Sequence, residues 1–490
     1  MILNFPYLHK DEILYSGIAR YFDYLNEDRI KWVTEHLFSS RGFRASVGFP
    51  SGLNNLYDNF PKGSPYTSSY LVDNHSIYPL FRPFIDLLRH EKIVNDMVFK
   101  DGKGIMTRVG AVASLIPNKR NLYYCASCIK EQMDQKNTQY LDVFWNRVHQ
   151  CPGVYVCHKH REWLKQTTFS LDEINQHMYI SVGSLIDASQ LDLNRVPIEE
   201  NKINDLHTRI AENVEWILNN NLSPRDLNYY RLRYIEYLKF KGIAKPSGRV
   251  DVLGLKELFL ANYPKEFLRQ LHSDFEINDE QTWVQMIIQK NRKAFHPIRH
   301  ILMIMLLAEN VSNFFTKEYT YTPFGSGPWD CNNPVCSRKT ELISINYSRD
   351  CKQEFGDFQC ECGFKERRYL SGKRKVLDFG MVWEQELVKL IQEGEGIYPI
   401  SRILNADIVT IKKYAQKNNL LDKWLPPKTY IPVEKNQNNV IKVNHYNIWI
   451  DTIKENPQLN KTAIRALIVK SHFISSKKQL LFSNSSGIAY

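Results

Sequence analysis

Apolar residues recur along much of this chain with the period of a helix. In Asp11 to Phe22, Leu14, Ile18 and Phe22 stand four apart. This predicts a helix with one face in a core, and places Asp11 and Glu12 in its first turn, where the helix dipole favours acids. The stretch from about 203 to 315 is mostly helical by the same criterion. Leu232, Ile235 and Leu238 mark a helix over 226–239, and Trp283 to Leu307 reads as another, broken or kinked near Pro297. Between the first helix and residue 110 the pattern gives way to Pro- and Gly-bearing loops, such as Gly48 to Gly52 and His75 to Phe84. The aromatics of the second are assigned to core packing before a partner surface. Trp383 to Gln392 predicts a further helix, and Pro399 to Ala415 reads as helix, turn, helix. Pro399 is expected at the first helical position, Asn405-Ala406 in the turn and Asp407 as cap of the second helix, with Ile400, Ile403, Leu404 and Ile411 inward. Ile408, Val409, Thr410, Lys412 and Lys413 then fall at or near the outer face, which in a DNA-binding helix-turn-helix enters the major groove, with Arg402 nearby for the phosphate backbone. A weaker copy runs from Tyr446 to Leu467, with Lys461 and Arg465 on its second helix, behind a linker over 425–439.

Against this helical background two cysteine clusters stand out. The first is Cys125-x2-Cys128, a 28-residue gap, then Cys157-x2-His160; the second is Cys331-x4-Cys336, a 23-residue gap, then Cys360-x-Cys362. Each supplies two short-range ligand pairs, and a tight knuckle can aim both donors of a pair at one ion, so each cluster predicts a closed, four-coordinate Zn2+ site. Neither set leaves an open position, so both zincs are expected to be structural. His149 and His158 compete with His160 in the first cluster, but only His160 keeps the two-residue spacing. Cys151 and Cys351 have no place in either set. A disulfide framework fits poorly, because the chain is long, holds nine cysteines and shows no basic-then-apolar leader at its start.

Charge sharpens the picture at one end. The chain of 490 residues carries a net +11, and residues 365–490 hold 21 basic against 11 acidic side chains, a net of +10. A basic segment of this kind attracts polyanions, nucleic acid first among them. Lys365, Arg367 and Arg368 directly follow the last ligand of the second cluster and join the expected DNA-contact residues. The opening 110 residues carry almost no surplus charge, and Phe5 and Tyr7 precede the first helix, so this region suits a protein partner. No apolar run approaches the ~20 residues of a membrane span, which predicts a soluble, cytoplasmic protein. No Gly-rich phosphate loop, Ser-His-Asp pattern or carboxylate cluster suited to magnesium is present, so neither an enzyme nor, in particular, a metal-dependent nuclease is expected.

Together these readings give a multi-domain, mainly α protein with two small zinc modules and a C-terminal helix-turn-helix. The expected divisions are an N-terminal domain over 1–110, a CCCH zinc module over 111–200, a helical domain over 201–315, a CCCC module over 316–375, the helix-turn-helix over 376–425, and a linker with a second, shortened copy over 426–490. The opening Phe5-Pro6-Tyr7 with Asp11 to Ser16 and Ala19-Arg20-Tyr21, the segments Leu37-Phe38, Phe49-Pro50-Ser51 and His75 to Phe81, and the pairs around Cys125 and Cys157 resemble the TnsD/TniQ family of transposition target selectors. Asn291 to Phe295, Gly327 to Cys336 and Phe358 to Phe364 resemble its longer TnsD branch. Ala126 and Ser127 depart from the usual residues of the first knuckle, and a Trp-Leu-Tyr motif expected after residue 467 is missing. The resemblance implies a non-enzymatic adaptor in a bacterial cytoplasm. It would bind a double-stranded chromosomal attachment site, at the nucleoid, and recruit a TnsC-like AAA+ ATPase, which engages the transposase. A zinc-containing helix-turn-helix transcription regulator would show the same DNA-binding features without the ATPase.

Overall fold

A computed structural model describes residues 2–26, 29–100, 102–134, 142–289, 294–348, 353–424, 450–456, 458 and 463–464. Cys351, the segment 425–449, Lys461 and Arg465 lie outside the described residues. The chain divides into two compact units, Met1–Asn332 with Ser337–Gly380, and Asn333–Cys336 with Met381–Tyr490.

The first unit packs short helices around a core that runs from Ile2 to Phe314. Leu14, Ile18 and Phe22 are buried on one face of helix Leu14–Leu25, as their spacing predicts. The acids before it do something other than answer the helix dipole. Ile13 is the N-cap and no acid occupies the first turn. Glu12 is instead fully buried and takes two bonds of 2.9 Å from the Arg20 guanidinium. A charge so placed is tolerable only because the pair is bidentate. The chain on either side of Glu12 is tied to a distant segment. Ile13 N–H donates to Trp145 O at 3.1 Å and Arg147 N–H to Asp11 O at 2.8 Å. Arg147, itself buried, also reaches Asp73 O, Leu218 O and Asn219 Oδ1 at 2.9–3.1 Å.

The segment from His75 to Phe84, expected as a loop, is a short helix Tyr78–Phe81 followed by a 3-10 turn, and its aromatics are buried. Asp226 caps helix Leu227–Phe240. The predicted break near Pro297 separates Trp283–Ile287 from Pro297–Ala308, whose apolar run is wholly inside the core. Among the described residues no helix is long and apolar enough to cross a membrane.

A strand pair, β1 (Tyr123–Tyr124) with β2 (Lys165–Gln166), braces the first cysteine cluster. Helix predominates over strand, as expected of a mainly α chain, but the second cysteine cluster is built on a sheet that the sequence reading did not anticipate. About half of the described residues are helical, and a five-stranded antiparallel sheet of order β3 (Trp329–Asp330), β4 (Lys339–Ser348), β5 (Gln353–Cys360), β6 (Lys365–Tyr369) and β7 (Arg374–Asp378) carries three of the second cluster's cysteines at or beside its strand ends. Strands β5, β6 and β7 carry charges on both faces, so no clean alternation of apolar and polar residues marked them.

In the second unit, helices Gly380–Gln392, Ile397–Ile403 and Ile408–Lys417 enclose Trp383, Leu387, Ile400, Leu404, Ile411 and Ala415. Trp383 Nε1 donates to Leu404 O at 3.0 Å. Asn405 turns with φ of 46° and the Asp407 carboxylate accepts from Thr410 N–H at 2.8 Å. Two details differ from expectation. Gly396 is the N-cap of the middle helix, which puts Pro399 third rather than first; the missing N–H of proline is as harmless there, because the first turn has no intrahelical acceptor. Ile403 points outward and is 45% exposed.

Candidate metal centres and basic surfaces

Cys125 directly follows strand β1 and Cys128 lies on the first turn of helix Ala126–Asp134, while Cys157 and His160 bracket a turn that Arg161 leaves with a φ of 50°. Each knuckle folds its own amide onto its own sulfur: Cys128 N–H to Cys125 Sγ and His160 N–H to Cys157 Sγ, both at 3.5 Å. The donors converge. Cys128 Sγ and Cys157 Sγ are 3.7 Å apart, and His160 Nδ1 lies 3.5, 3.3 and 3.7 Å from the sulfurs of Cys125, Cys128 and Cys157. A tetrahedral ion with metal–sulfur bonds near 2.3 Å and metal–nitrogen bonds near 2.0 Å requires edges of about 3.8 and 3.5 Å, so the set fits one. Hydrogen bonding from the two neighbouring thiols holds the Cys157 thiol far below its ordinary range.

The outer layer was not legible from ligand spacing. His160 Nε2 is 2.9 Å from Glu131 Oε1, which orients the ring. Glu162, 1% exposed, accepts from Cys125 Sγ at 3.4 Å, Ser127 Oγ at 2.7 Å and Arg195 Nε at 2.5 Å. His149 and His158 come together beside Cys157, separate from the four-donor set. Cys151 is buried, donates to Arg147 O at 3.5 Å, and burial pushes its thiol up to about 12.

The sulfurs of Cys331, Cys336, Cys360 and Cys362 all lie within 4.8 Å of one another, with Cys331 and Cys362 at 3.8 Å. Gly363 makes the turn after the last ligand with φ of 88°. Gly380, φ 78°, passes directly against it: a Cβ there would lie 2.3 Å from Gly363 C.

The expected DNA-contact residues differ in how free they are. Val409, Lys412, Lys413 and Arg402 are exposed, while Ile408 and Thr410 are half-buried. Lys365 is exposed on β6. Arg367, in contrast, forks onto Asp357 at 2.7 and 3.0 Å and lies over Phe355, and Arg368 pairs with Glu366 at 2.6 Å and lies over Phe358. Of the two aromatics expected to meet a partner, Phe5 packs on Tyr21, Phe60 and Tyr66, and Tyr7 is 73% exposed.

The molecule is therefore a multi-domain protein with two closed, cysteine-rich donor sets that could each hold a metal ion. Residues 210–473 match the family of Tn7-like transposition protein D, and residues 3–164 match TniQ. The chain belongs to the Tn7-like transposition protein D family. The Transposon Tn7 transposition protein TnsD of Escherichia coli is 24% identical over 301 residues, 61% of this chain and 57% of that protein's length.

Proposed function

We propose that this protein selects the target site of a transposon: it binds an attachment sequence in double-stranded DNA and recruits a TnsC-like AAA+ ATPase, through which the transposase is directed there. The observation that carries the DNA half is the capped helix Ile408–Lys417, which turns Ile411 and Ala415 into a core and leaves Val409, Lys412 and Lys413 outward. That is the arrangement by which a helix-turn-helix reads a major groove. Arg402, in the same unit, and Lys365, on β6 of the other, supply further phosphate contacts. Each cysteine cluster holds one Zn2+ with no open position, so the metals fold the chain and perform no chemistry. Family membership supports a targeting role over an enzymatic one.

Selection of bound fragments from a genomic library should return one attachment sequence. Lys412→Ala with Lys413→Ala should flatten the salt dependence of binding by roughly two units of slope; unchanged binding removes the reading helix. For the ATPase, the Tyr7→Ala variant is the cleaner probe, because Ile2 and Leu8 are buried and trimming the terminus would damage the core. Loss of ATPase co-purification with zinc and DNA binding retained supports the recruiting surface. Absence of any ATPase in complexes of the wild-type chain would favour a transcription regulator.

A further inference from the structure

The last hairpin of the sheet is built unlike the rest of it. β7 is an edge strand, exposed at every residue from Arg374 to Asp378. It is reached through a tight turn in which Gly372 has φ of 84° and Tyr369 N–H donates to Lys373 O at 2.8 Å. At two positions the register sets cations opposite cations, Arg367 facing Lys375 and Arg368 facing Arg374, while Lys365 faces Asp378. Directly opposed like charges weaken a strand pair. On β6 the charge is neutralised, by Asp357 and Glu366. Lys373, Arg374 and Lys375 are exposed; Arg374 and Lys375, successive on β7, put positive charge on both faces of the edge, and Lys373 adds to it from the turn. A single lysine would be enough to guard such an edge against pairing with another chain. The three consecutive exposed cations, apart from the two arginines already paired on β6, make a surface complementary to a polyanion.

We propose that the β6–β7 hairpin is a second DNA-contact element, holding backbone phosphates of duplex DNA through Lys373, Arg374 and Lys375, while Arg367 and Arg368 serve the sheet. The inference rests on the DNA-binding reading above and extends it to an element outside the helices. Phosphate contacts of this kind position the protein and carry no sequence information. They are read from the salt dependence of affinity.

The test uses the full chain and a labelled mixed-sequence DNA duplex, titrated with salt. Replacing Lys373, Arg374 and Lys375 by Gln should lower the slope of log K against log salt by roughly two to three units, at about 0.9 per phosphate lost. Replacing Lys62, Lys92 and Lys130, equally exposed cations elsewhere, by Gln should leave it unchanged. A wild-type slope in the hairpin variant overturns the proposal, as does an equal loss in the control, which would make net charge the cause. Self-association of the hairpin variant with its slope intact would show the cations to be edge guards and also overturns it. If the wild-type chain binds and only the Lys412→Ala, Lys413→Ala variant loses slope, the hairpin falls and the DNA-binding reading stands. If the wild-type chain does not bind duplex DNA, both fall.

Discussion

Cys128 and His160 illustrate how far single residues can be read without a structure. Ligand spacing is dictated by the knuckle, because a two-residue loop folds its amide back onto the first sulfur, and that constraint is visible in sequence as in coordinates. Glu131 and Glu162 answer to a different constraint. They are brought to the centre by the helix and the strand bridge around it, so nothing local distinguishes them from other acids. Phe5 and Arg367 show the same limit in reverse: each looked available in the sequence, and packing on Tyr21 or pairing with Asp357 commits it. At this scale the expectation is two zinc ions in the native chain by elemental analysis. Cys128→Ser and Cys360→Ser should each leave one, with local unfolding of the affected module seen as faster amide exchange there. A full complement of two in either variant would remove that cysteine from the ligand set.

The amphipathic helices were legible because one buried stripe repeats every three or four residues, as in Leu14, Ile18 and Phe22. Strands β4 to β7 were not, because a sheet held partly by ion pairs and cation-aromatic stacking leaves no apolar period. Pro399 marked a helix start only to within a turn, since any of the first positions tolerates a residue without N–H. Gly363 and Gly380 show what a boundary can demand. Both lie in the left-handed region, and at Gly380 there is no room for a side chain against the turn that follows Cys362. Gly380→Ala combines a backbone penalty of about 1–3 kcal/mol with steric overlap. It should lower the unfolding midpoint and release metal from the second centre while the first keeps its own. Retention of both metals at the wild-type midpoint would show that the turn yields.

For the whole molecule, buried histidines set a limit in acid. Burial holds His75 at about 4 and His296 and His300 at about 3, against an ordinary 6.5. The unfolded chain therefore takes protons first. Stability from keeping these rings neutral is complete above pH 6.5 and is lost as pH falls toward the folded values. The thermal midpoint should drop through that window. His296 caps helix Pro297–Ala308 through Nδ1, which accepts from Ile298 N–H at 3.2 Å, so His296→Asn keeps a cap but removes a titrating ring. Its midpoint should fall less steeply with acid; an unchanged slope would point to other groups. A different consequence follows from the bonds joining Asp11 and Ile13 to Trp145 and Arg147. They fasten the two ends of a long stretch of chain side by side, so continuity of the backbone between them is not what keeps those ends together. A protease that nicks the chain anywhere between residues 27 and 141 should yield two pieces that still migrate as one particle in native gel filtration, and separate only in denaturant.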